Sequence, residues 1–477
     1  MRRTLWMLAF AAIATGATAQ SPRADPPPVV TQHFEAYLAA VRSPEAAETF
    51  VNRDIAPAYK EAASARAILI FLAAQKRVAG GYTLDGVRMA GPRRAEALLR
   101  DRIYGVRHSL TLEFDDSPEA RITDFDPGPA PTWAPPLPRT LSTAAVAAAA
   151  RRQVERGCAA GVFSGAVLVA RHDKVLFEQA CGLANRRYDA PNTPATRFNL
   201  ASINKMFTAV AVMQLVEAGK ISLDDPLSKY ADESWLPLEV SRGITVRQLI
   251  THTSGLGSFL GPEWSRLPRD RFRELDDYKP LVRGDRPSFP PGSGWSYSNT
   301  GPLLAGVVIE KASGENYFDY VRRHIFAPAG MADTESWAAD QIVPNLAMGY
   351  YVAGPGPAWR ENVVQNMFRG GPAGGGYSTV GDLLRFAKAL ESGKLVSKAS
   401  LDFMWTDHPP HNYGAGFVIE TTAAGKSYGH DGIFGGVSTR FHIFPETGYV
   451  VAILANQDYA APGLDEALTE VFAQTKP

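Results

Sequence analysis

The sequence predicts an α+β protein in which an antiparallel sheet is flanked by helices and carries an all-helical insert. Two strands joined by a polar turn are predicted at 164–170 and 174–182. Three more follow near the end of the chain, at 417–420, 437–444 and 449–455, and helical patterns occupy the interval between the two groups. Strands at both ends of one region indicate a single sheet built from its two termini, with the helical part facing it.

A smaller α+β module is predicted ahead of this domain. Apolar residues recur at helical spacing over 34–41 and 67–72, whereas residues 110–115 alternate between apolar and polar types, as in a half-buried strand. Helices followed by strands resemble the small cone-like fold of nuclear-transport-factor-like modules, which implies an accessory role. We therefore expect four segments: a signal peptide at 1–19, the accessory module at 20–126, a proline-rich linker at 127–138 and the main domain at 139–477.

The first residues have the composition of a secretory signal. Two arginines precede an apolar run over 5–14, and the small residues of a cleavage site end at Ala19. We expect cleavage after Ala19 and export to the periplasm or the medium. The apolar run is too short to cross a bilayer, so no stable membrane span is expected.

The overall charge and the two cysteines narrow the range of partners and cross-links. Lys plus Arg and Asp plus Glu both number 49, so no net field favours nucleic acid. Cys158 lies just before one predicted strand and Cys181 ends the strand that should pair with it. In an exported protein these two residues can form a disulfide, and two buried free thiols are the alternative.

A serine and a lysine stand together at the start of the most apolar predicted helix. The helix pattern runs from Ile203 to a capping position at Gly219, which places Ser202 at its entrance. Lys205 follows three positions later on the same helix face, so a hydroxyl nucleophile lies beside an amine. Serine is also a favoured N-cap residue without any chemistry, and the motif alone does not separate these two interpretations.

Two further motifs supply partners for this pair. Tyr297 and Asn299 lie two apart in a loop bounded by glycine and proline, and His430 and Gly432 occupy one face of a predicted strand. The three motifs, in this order, resemble those of the serine hydrolases related to class C β-lactamases, D-alanyl-D-alanine carboxypeptidases, D-aminopeptidases and their esterase relatives. The resemblance covers about residues 140 to 475 and extends to the segments 223–226, 249–256 and 291–299.

The resemblance implies a role for each residue in an acyl-enzyme reaction. Ser202 is expected to be the acylated nucleophile, Lys205 its activating partner and Tyr297 a general base and acid. Asn299 is expected to orient either the substrate amide or the lysine. Ile433, next to Gly432, is expected to supply the second oxyanion-hole N–H beside that of Ser202. Whether Lys205 or Tyr297 removes the serine proton is left open, and neither a cofactor nor a metal is expected.

His430 is a departure from the family pattern that bears on the substrate. Many members, true β-lactamases among them, carry a lysine at this position, and its charge attracts the substrate carboxylate. Histidine is mostly neutral at pH 7, so we expect cleavage of a small ester or peptide, as by an esterase or a D-amino-acid peptidase. A weak β-lactamase or carboxypeptidase is one alternative, and a catalytically idle binding or sensing protein is another. No oligomeric state is predicted.

Two other segments are interpreted as structural. His252, in a Thr-His-Thr-Ser-Gly turn, is expected to hold backbone groups rather than to catalyse. The glycine-rich residues 370–376 lack the ending of a phosphate-binding loop and are expected to let the backbone pass close to a cleft.

Overall fold

The structure, a computed structural model, describes residues 25–172, 174–352, 358–408 and 410–476. The predicted signal peptide at 1–19 therefore lies outside the described residues. Among the helices of these ranges, none combines the length and the apolar character needed to cross a bilayer.

The N-terminal unit has four helices followed by a four-stranded antiparallel sheet in the order β1-β2-β3-β4, which matches the predicted order of elements. The helices are α1 (Pro28–Arg42), α2 (Pro44–Arg53), α3 (Pro57–Ala63) and α4 (Ala65–Ala79), and the strands are β1 (Tyr82–Gly91), β2 (Arg94–Asp101), β3 (Arg107–Phe114) and β4 (Ile122–Pro129). The apolar faces of both layers form a core of their own. Strand β4 extends into the segment predicted as a linker, and it tolerates proline because it lies at the sheet edge.

The second unit contains the remaining elements. Its strands are β5 (Gly165–Arg171), β6 (Lys174–Cys181), β7 (Leu183–Asn185), β8 (Ala190–Pro191), β9 (Phe198–Asn199), β10 (Tyr350–Val352), β11 (Trp359–Glu361), β12 (Tyr377–Ser378), β13 (Val418–Thr422), β14 (Gly425–Phe434), β15 (Val437–Phe444) and β16 (Tyr449–Ala455). Its helices are α5 (Thr143–Ala159), α6 (Asn204–Glu217), α7 (Leu238–Ser241), α8 (Val246–Ile250), α9 (Pro262–Arg266), α10 (Lys279–Val282), α11 (Thr300–Ser313), α12 (Tyr317–Val321), α13 (Ala327–Ala329), α14 (Val380–Glu391), α15 (Lys398–Met404) and α16 (Ala460–Ala473).

The main sheet has six antiparallel strands in the order β13-β14-β15-β16-β5-β6. Strand β16 pairs with β5 along its full length, from Tyr449 opposite Arg171 to Ala455 opposite Gly165. The prediction of one antiparallel sheet closed by its two termini is therefore confirmed. Helices α5 and α16 cover one face of the sheet, and the helical insert covers the other.

Helix α6 is the centre of the helical insert. Eleven of its residues are buried, on all sides of the helix, which is the pattern of a helix enclosed by its own domain. Its N-terminus lies against β14, and its length packs against α11. The start of α6 is thus held between the sheet and the insert.

The two units are joined by an apolar insertion. Tyr104, in the turn between β2 and β3, is 3% exposed and belongs to the core formed by α5, α16 and the sheet. Arg107 and His108 of β3 lie 2.9 Å and 3.3 Å from Glu470 and Glu466 of α16. The N-terminal unit is therefore packed directly on the helix that covers the sheet.

Candidate active site

Ser202 lies in a 3₁₀ turn over Ala201–Ile203 that leads into α6. The preceding residue, Ala201, has a φ of 46°, a conformation that costs energy for any residue with a β-carbon. Two hydrogen bonds hold it there: its N–H donates to Asn199 Oδ1 at 2.8 Å, and its carbonyl accepts from the Gly375 N–H at 3.0 Å. The turn therefore presents Ser202 from a strained and well-braced backbone, and the serine side chain does not cap α6.

Two side chains, one near in sequence and one distant, meet at the Ser202 hydroxyl. The Lys205 Nζ lies 3.1 Å from Ser202 Oγ, and the Tyr297 hydroxyl lies 2.8 Å from the same atom. The Lys205 Nζ is also 4.8 Å from the centre of the Tyr297 ring. The amine and the phenol that the motifs indicated are thus both within hydrogen-bonding reach of the Ser202 hydroxyl.

Lys205 is enclosed and its nitrogen is surrounded by oxygen atoms. The side chain is 2% exposed, and Nζ also lies 2.9 Å from Asn299 Oδ1 and 2.5 Å from the carbonyl oxygen of Ala373. Among the described residues no carboxylate forms an ion pair with it, and the charge of Asp431 acts on it only at longer range. Burial therefore lowers the pKa of Lys205 to about 7, against the smaller opposing effect of Asp431.

Asn299 and the glycine-rich segment each place an oxygen atom beside Lys205 Nζ. Of the two roles expected for Asn299, its carbonyl oxygen is directed at Lys205, while its amide Nδ2 donates to Ser258 Oγ at 3.0 Å. The segment 370–376 passes beside the turn of Ser202, where a β-carbon on Gly374 would lie 2.9 Å from the Ala201 carbonyl oxygen. No sequence motif predicted the contact between the Ala373 carbonyl oxygen and Lys205.

Tyr297 lies in the loop before α11 with other rings around it. The His252 ring is 4.6 Å from the Tyr297 ring, and His252 Nδ1 accepts the Ser298 N–H at 3.2 Å. His252 thus holds the backbone next to the tyrosine, in the role expected from the sequence. Burial raises the pKa of the Tyr297 phenol above its ordinary value, and the Ser202 hydrogen bond offsets only part of this effect.

The end of β14 exposes the backbone of Ile433. A two-residue loop closes the β14–β15 hairpin at the pair Phe434 and Val437, and in such hairpins alternate residues point their N–H and C=O groups toward the partner strand. By this alternation Gly432 bonds to β15, and Ile433 directs its N–H away from it. Strand β13 pairs with β14 only as far as Gly429, so among the described strands none occupies the edge that the Ile433 N–H faces.

His430 is buried beside Tyr297, with the two ring centres 6.3 Å apart. Its side chain is 1% exposed, with Nε2 at 3.2 Å from the Tyr413 hydroxyl and Nδ1 at 2.6 Å from the Asp431 carbonyl oxygen. Burial lowers its pKa to about 4; the Asp431 charge opposes this shift and Lys205 adds to it. His430 was expected to contact the substrate, whereas in the structure both of its ring nitrogens are occupied by protein partners. Tyr413 belongs to no motif and was not anticipated.

Two features lie away from this cleft. The structure joins Cys158 of α5 to Cys181 of β6 in a disulfide with a Cα–Cα distance of 6.0 Å. Glu420, His442 and Asp465 bring possible metal-ligand atoms within 4.8 Å of one another. His442 Nε2 is already bound to Asp465 at 3.1 Å, and this contact makes the cluster an ion-pair network.

The chain is similar to known proteins over the whole second unit. A β-lactamase family model matches residues 146–476. Penicillin-binding protein 4* of Bacillus subtilis is 31% identical over 62% of this chain and 68% of its own length. The esterase EstB of Burkholderia gladioli is 30% identical over 56% of this chain and 74% of its own. The D-amino acid amidase of Ochrobactrum anthropi SV3, solved with L-phenylalanine amide, has a TM-score of 0.59 at 25% identity, covering 68% of this chain and 97% of the amidase.

The family match, the relatives and the fold agree with one another. The matched region covers well over half of the chain, and it contains the main sheet, the helical insert and the cleft around Ser202. The chain therefore belongs to the β-lactamase family of serine hydrolases, together with penicillin-binding proteins, esterases and D-amino acid amidases.

Proposed function

We propose that this protein is an exported serine hydrolase that cleaves a small ester or amide through an acyl-enzyme on Ser202. The observation that carries the proposal is the meeting of the Lys205 amine and the Tyr297 phenol at the Ser202 hydroxyl, at 3.1 Å and 2.8 Å. A serine needs such a neighbour, because its hydroxyl is a weak nucleophile until a base takes its proton. The signal-like first residues support the export part of the proposal.

Lys205 is the base in this proposal, because its contacts suit a neutral amine. A neutral amine has two N–H groups and one lone pair. Asn299 Oδ1 and the Ala373 carbonyl oxygen can only accept, so they take the two N–H groups and leave the lone pair for the Ser202 O–H. The pKa of about 7 makes that neutral form abundant near neutral pH. A phenolate at Tyr297 is disfavoured, because burial raises the pKa of the phenol.

The reaction then proceeds in two balanced halves. Ser202 Oγ attacks the substrate carbonyl carbon while its proton moves to Lys205, and the Ser202 and Ile433 N–H groups stabilise the resulting oxyanion. The carbon–leaving-group bond breaks as the Tyr297 phenol gives its proton to the leaving group and regains one from the lysine. Water then attacks the acyl-enzyme, its proton returns through the same groups, and Ser202 is released.

The proposed substrates are small esters and amides without a need for a fixed cation at position 430. EstB is an esterase and the Ochrobactrum protein a D-amino acid amidase, so both chemistries occur among the relatives. A weak penicillin-acylating or carboxypeptidase activity is the second candidate, favoured by the identity to penicillin-binding protein 4*. No cofactor or metal takes part in either scheme.

Intact mass spectrometry with a fluorophosphonate tests the proposal. The purified protein is expected to gain one adduct mass, and Ser202→Ala is expected to gain none. An idle binding or sensing protein would show no adduct in either form, and that result would reject the hydrolase. If the adduct forms, turnover of a p-nitrophenyl ester, nitrocefin and a D-alanyl peptide then ranks the substrate classes.

A further inference from the structure

Tyr413 and His430 form a hydrogen-bonded pair that is closed to solvent. Tyr413 lies in the loop between α15 and β13, is 3% exposed, and brings its hydroxyl to 3.2 Å from His430 Nε2. Its ring also lies 4.5 Å from the His252 ring, which in turn contacts Tyr297. The pair therefore forms the layer directly behind the tyrosine of the catalytic cluster.

The partners of His430 define its protonation and its tautomer. The Asp431 carbonyl oxygen, 2.6 Å from Nδ1, can only accept a hydrogen bond, so Nδ1 carries the proton. In a neutral imidazole Nε2 is then an acceptor, and the Tyr413 O–H is the donor that reaches it. Both polar atoms of the histidine and the proton of the tyrosine are thereby used within the protein.

The charges around the pair act on the pKa of His430 in opposite directions, and the effect of burial is larger than either. The carboxylate of Asp431 lies 3.6 Å from His430 Nδ1 and favours the protonated ring, but it is also paired with Arg440, 2.8 Å away on β15. When Lys205 is protonated, its positive charge disfavours a positive charge on His430 and so lowers the pKa of the histidine. The titratable and charged groups that face His430 are Lys205 of α6, Tyr297 and His252 of the loops beside it, Tyr413 before β13, Asp431 of β14 and Arg440 of β15.

We propose that Tyr413 is a positioning residue that holds His430 as the neutral Nδ1–H tautomer, and that the site therefore selects substrates with no carboxylate in the acyl part. This inference rests on the proposed hydrolase function and names its substrate class. A carboxylate brought into the site would lose hydration. It would gain neither a positive charge nor a free hydrogen-bond donor from the Tyr413–His430 pair. Ester and amide substrates with an uncharged acyl part suffer no such loss. Rates for a succinate half-ester have to be corrected for enzyme-free hydrolysis, because its carboxylate also attacks its own ester.

Removing the Tyr413 hydroxyl is expected to release this constraint. In Tyr413→Phe the His430 Nε2 loses its donor and remains a buried acceptor, a state relieved by taking up a proton or a water. The pKa of His430 is then expected to rise, so that the histidine becomes a cation in mildly acidic solution. Tyr428→Phe is the matched control, because Tyr428 lies on the same strand as His430 but stacks on Trp405.

The first experiment reads the histidine directly and needs no turnover. NMR of protein carrying ¹⁵N-labelled histidine is expected to show His430 as the Nδ1–H tautomer, with the signal assigned by its loss in His430→Gln. In Tyr413→Phe the signal is expected to change to that of the doubly protonated ring as the pH falls to about 5.5. A wild-type His430 found as the Nε2–H tautomer, or a signal unchanged in Tyr413→Phe, would overturn the proposal.

The second experiment compares two esters of equal length, p-nitrophenyl butyrate and the p-nitrophenyl half-ester of succinate. The wild type is expected to prefer the uncharged ester in kcat/KM at every pH. Tyr413→Phe is expected to raise the relative kcat/KM of the succinate ester by up to about fivefold near pH 5.5 but not near pH 8, the scale of a partly screened charge contact. His430→Gln and the double variant are expected to keep the wild-type preference without this pH dependence.

The outcomes separate this inference from the proposed function. Hydrolysis of neither ester together with no fluorophosphonate adduct would reject the hydrolase, while the NMR result would still decide the state of His430. Equal kcat/KM for the two esters in the wild type would overturn the substrate class. If Tyr413→Phe does not fold, His430→Gln decides alone: a preference for the succinate ester in that variant would overturn the proposal.

Discussion

The α-carbon of Gly432 lies against the carbonyl oxygen of Leu200, so closely that a β-carbon at position 432 would overlap that oxygen. The same β-carbon would also overlap the Thr439 hydroxyl, which itself donates to the Leu200 carbonyl at 3.2 Å. Leu200 immediately precedes the turn of Ser202. The close approach of β14 to that turn therefore sets the distance between the Ser202 and Ile433 N–H groups, and only glycine permits it.

Gly432→Ala is expected to lose at least about 100-fold in kcat, because displacing the strand removes one oxyanion-hole donor. KM is expected to change much less, since the oxyanion that this donor stabilises forms only after the substrate has bound. The measurement is kcat and KM for a p-nitrophenyl ester, with the unfolding midpoint recorded in parallel. Gly284→Ala is the matched control, because a β-carbon there meets no atom and should leave kcat unchanged. Wild-type kcat in Gly432→Ala would contradict the oxyanion role of β14.

The pKa of about 7 for Lys205 predicts the pH dependence of the reaction. A base must be unprotonated to act, so kcat/KM is expected to rise about tenfold per pH unit below 7 and to level off above it. The falling limb is expected at high pH, because burial raises the pKa of Tyr297. Measuring kcat/KM from pH 5 to 10 checks both statements. A flat profile between pH 5 and 8 would show that no group with this pKa is the base.

Replacing the lysine by a less basic amine identifies the group that titrates. Alkylating Lys205→Cys with bromoethylamine produces a thia-lysine, whose amine is less basic than that of lysine. The rise of kcat/KM with pH is then expected to occur at lower pH, because the amine loses its proton earlier. The same treatment at Lys398, an exposed lysine on α15, is the control and should leave the rise of kcat/KM in place. If the alkylated variant is active and its kcat/KM rises over the same pH range as that of the wild type, another residue is the group that titrates.

Tyr297→Phe is expected to lower kcat/KM at least about 100-fold for an amide or an alkyl ester, the usual scale of acid–base catalysis. The loss should be much smaller for a p-nitrophenyl ester, because its leaving group departs without a proton. This contrast separates proton donation from proton abstraction. If the tyrosine removed the serine proton, Tyr297→Phe would lower kcat/KM equally for both substrates. The measurement is the ratio of the two losses, with Tyr428→Phe as a control in which neither rate should change.

The short motifs made the meeting of Ser202, Lys205 and Tyr297 predictable, while contacts made by the backbone or by isolated side chains were not predictable. Ser202 and Lys205 share one helix turn, and Tyr297 and Asn299 share one loop, so each pair carries a local signal. The Ala373 carbonyl contacts Lys205 through the backbone, which no residue type records. Tyr413 lies in the loop before β13, and it meets His430 only because β13 pairs with β14 in the folded protein.

The architecture shows the same division between local and long-range information. The antiparallel sheet was predictable, because period-two patterns at both ends of the domain require partners. The strand that carries His430 and Gly432 begins at Gly425, and this start was not predictable, because glycine, lysine and serine are weak strand formers. The packing of the N-terminal unit on α16 was not foreseen, since the turn with Tyr104 has the composition of an ordinary surface turn.

Tyr104 is expected to make the two units unfold together. Truncation in Tyr104→Ala removes a large buried side chain from the core of α5 and α16, a change that costs about 3–5 kcal/mol. Differential scanning calorimetry is expected to show one transition for the wild type and two for this variant, as the N-terminal unit separates from the second. The Tyr104 hydroxyl is buried and has no hydrogen-bond partner among the described residues, so Tyr104→Phe should be as stable as the wild type or more stable. Tyr188→Ala, at a side chain 79% exposed, is the control for loss of a tyrosine from the surface. A single unshifted transition in Tyr104→Ala would show that the N-terminal unit adds no stability through this contact.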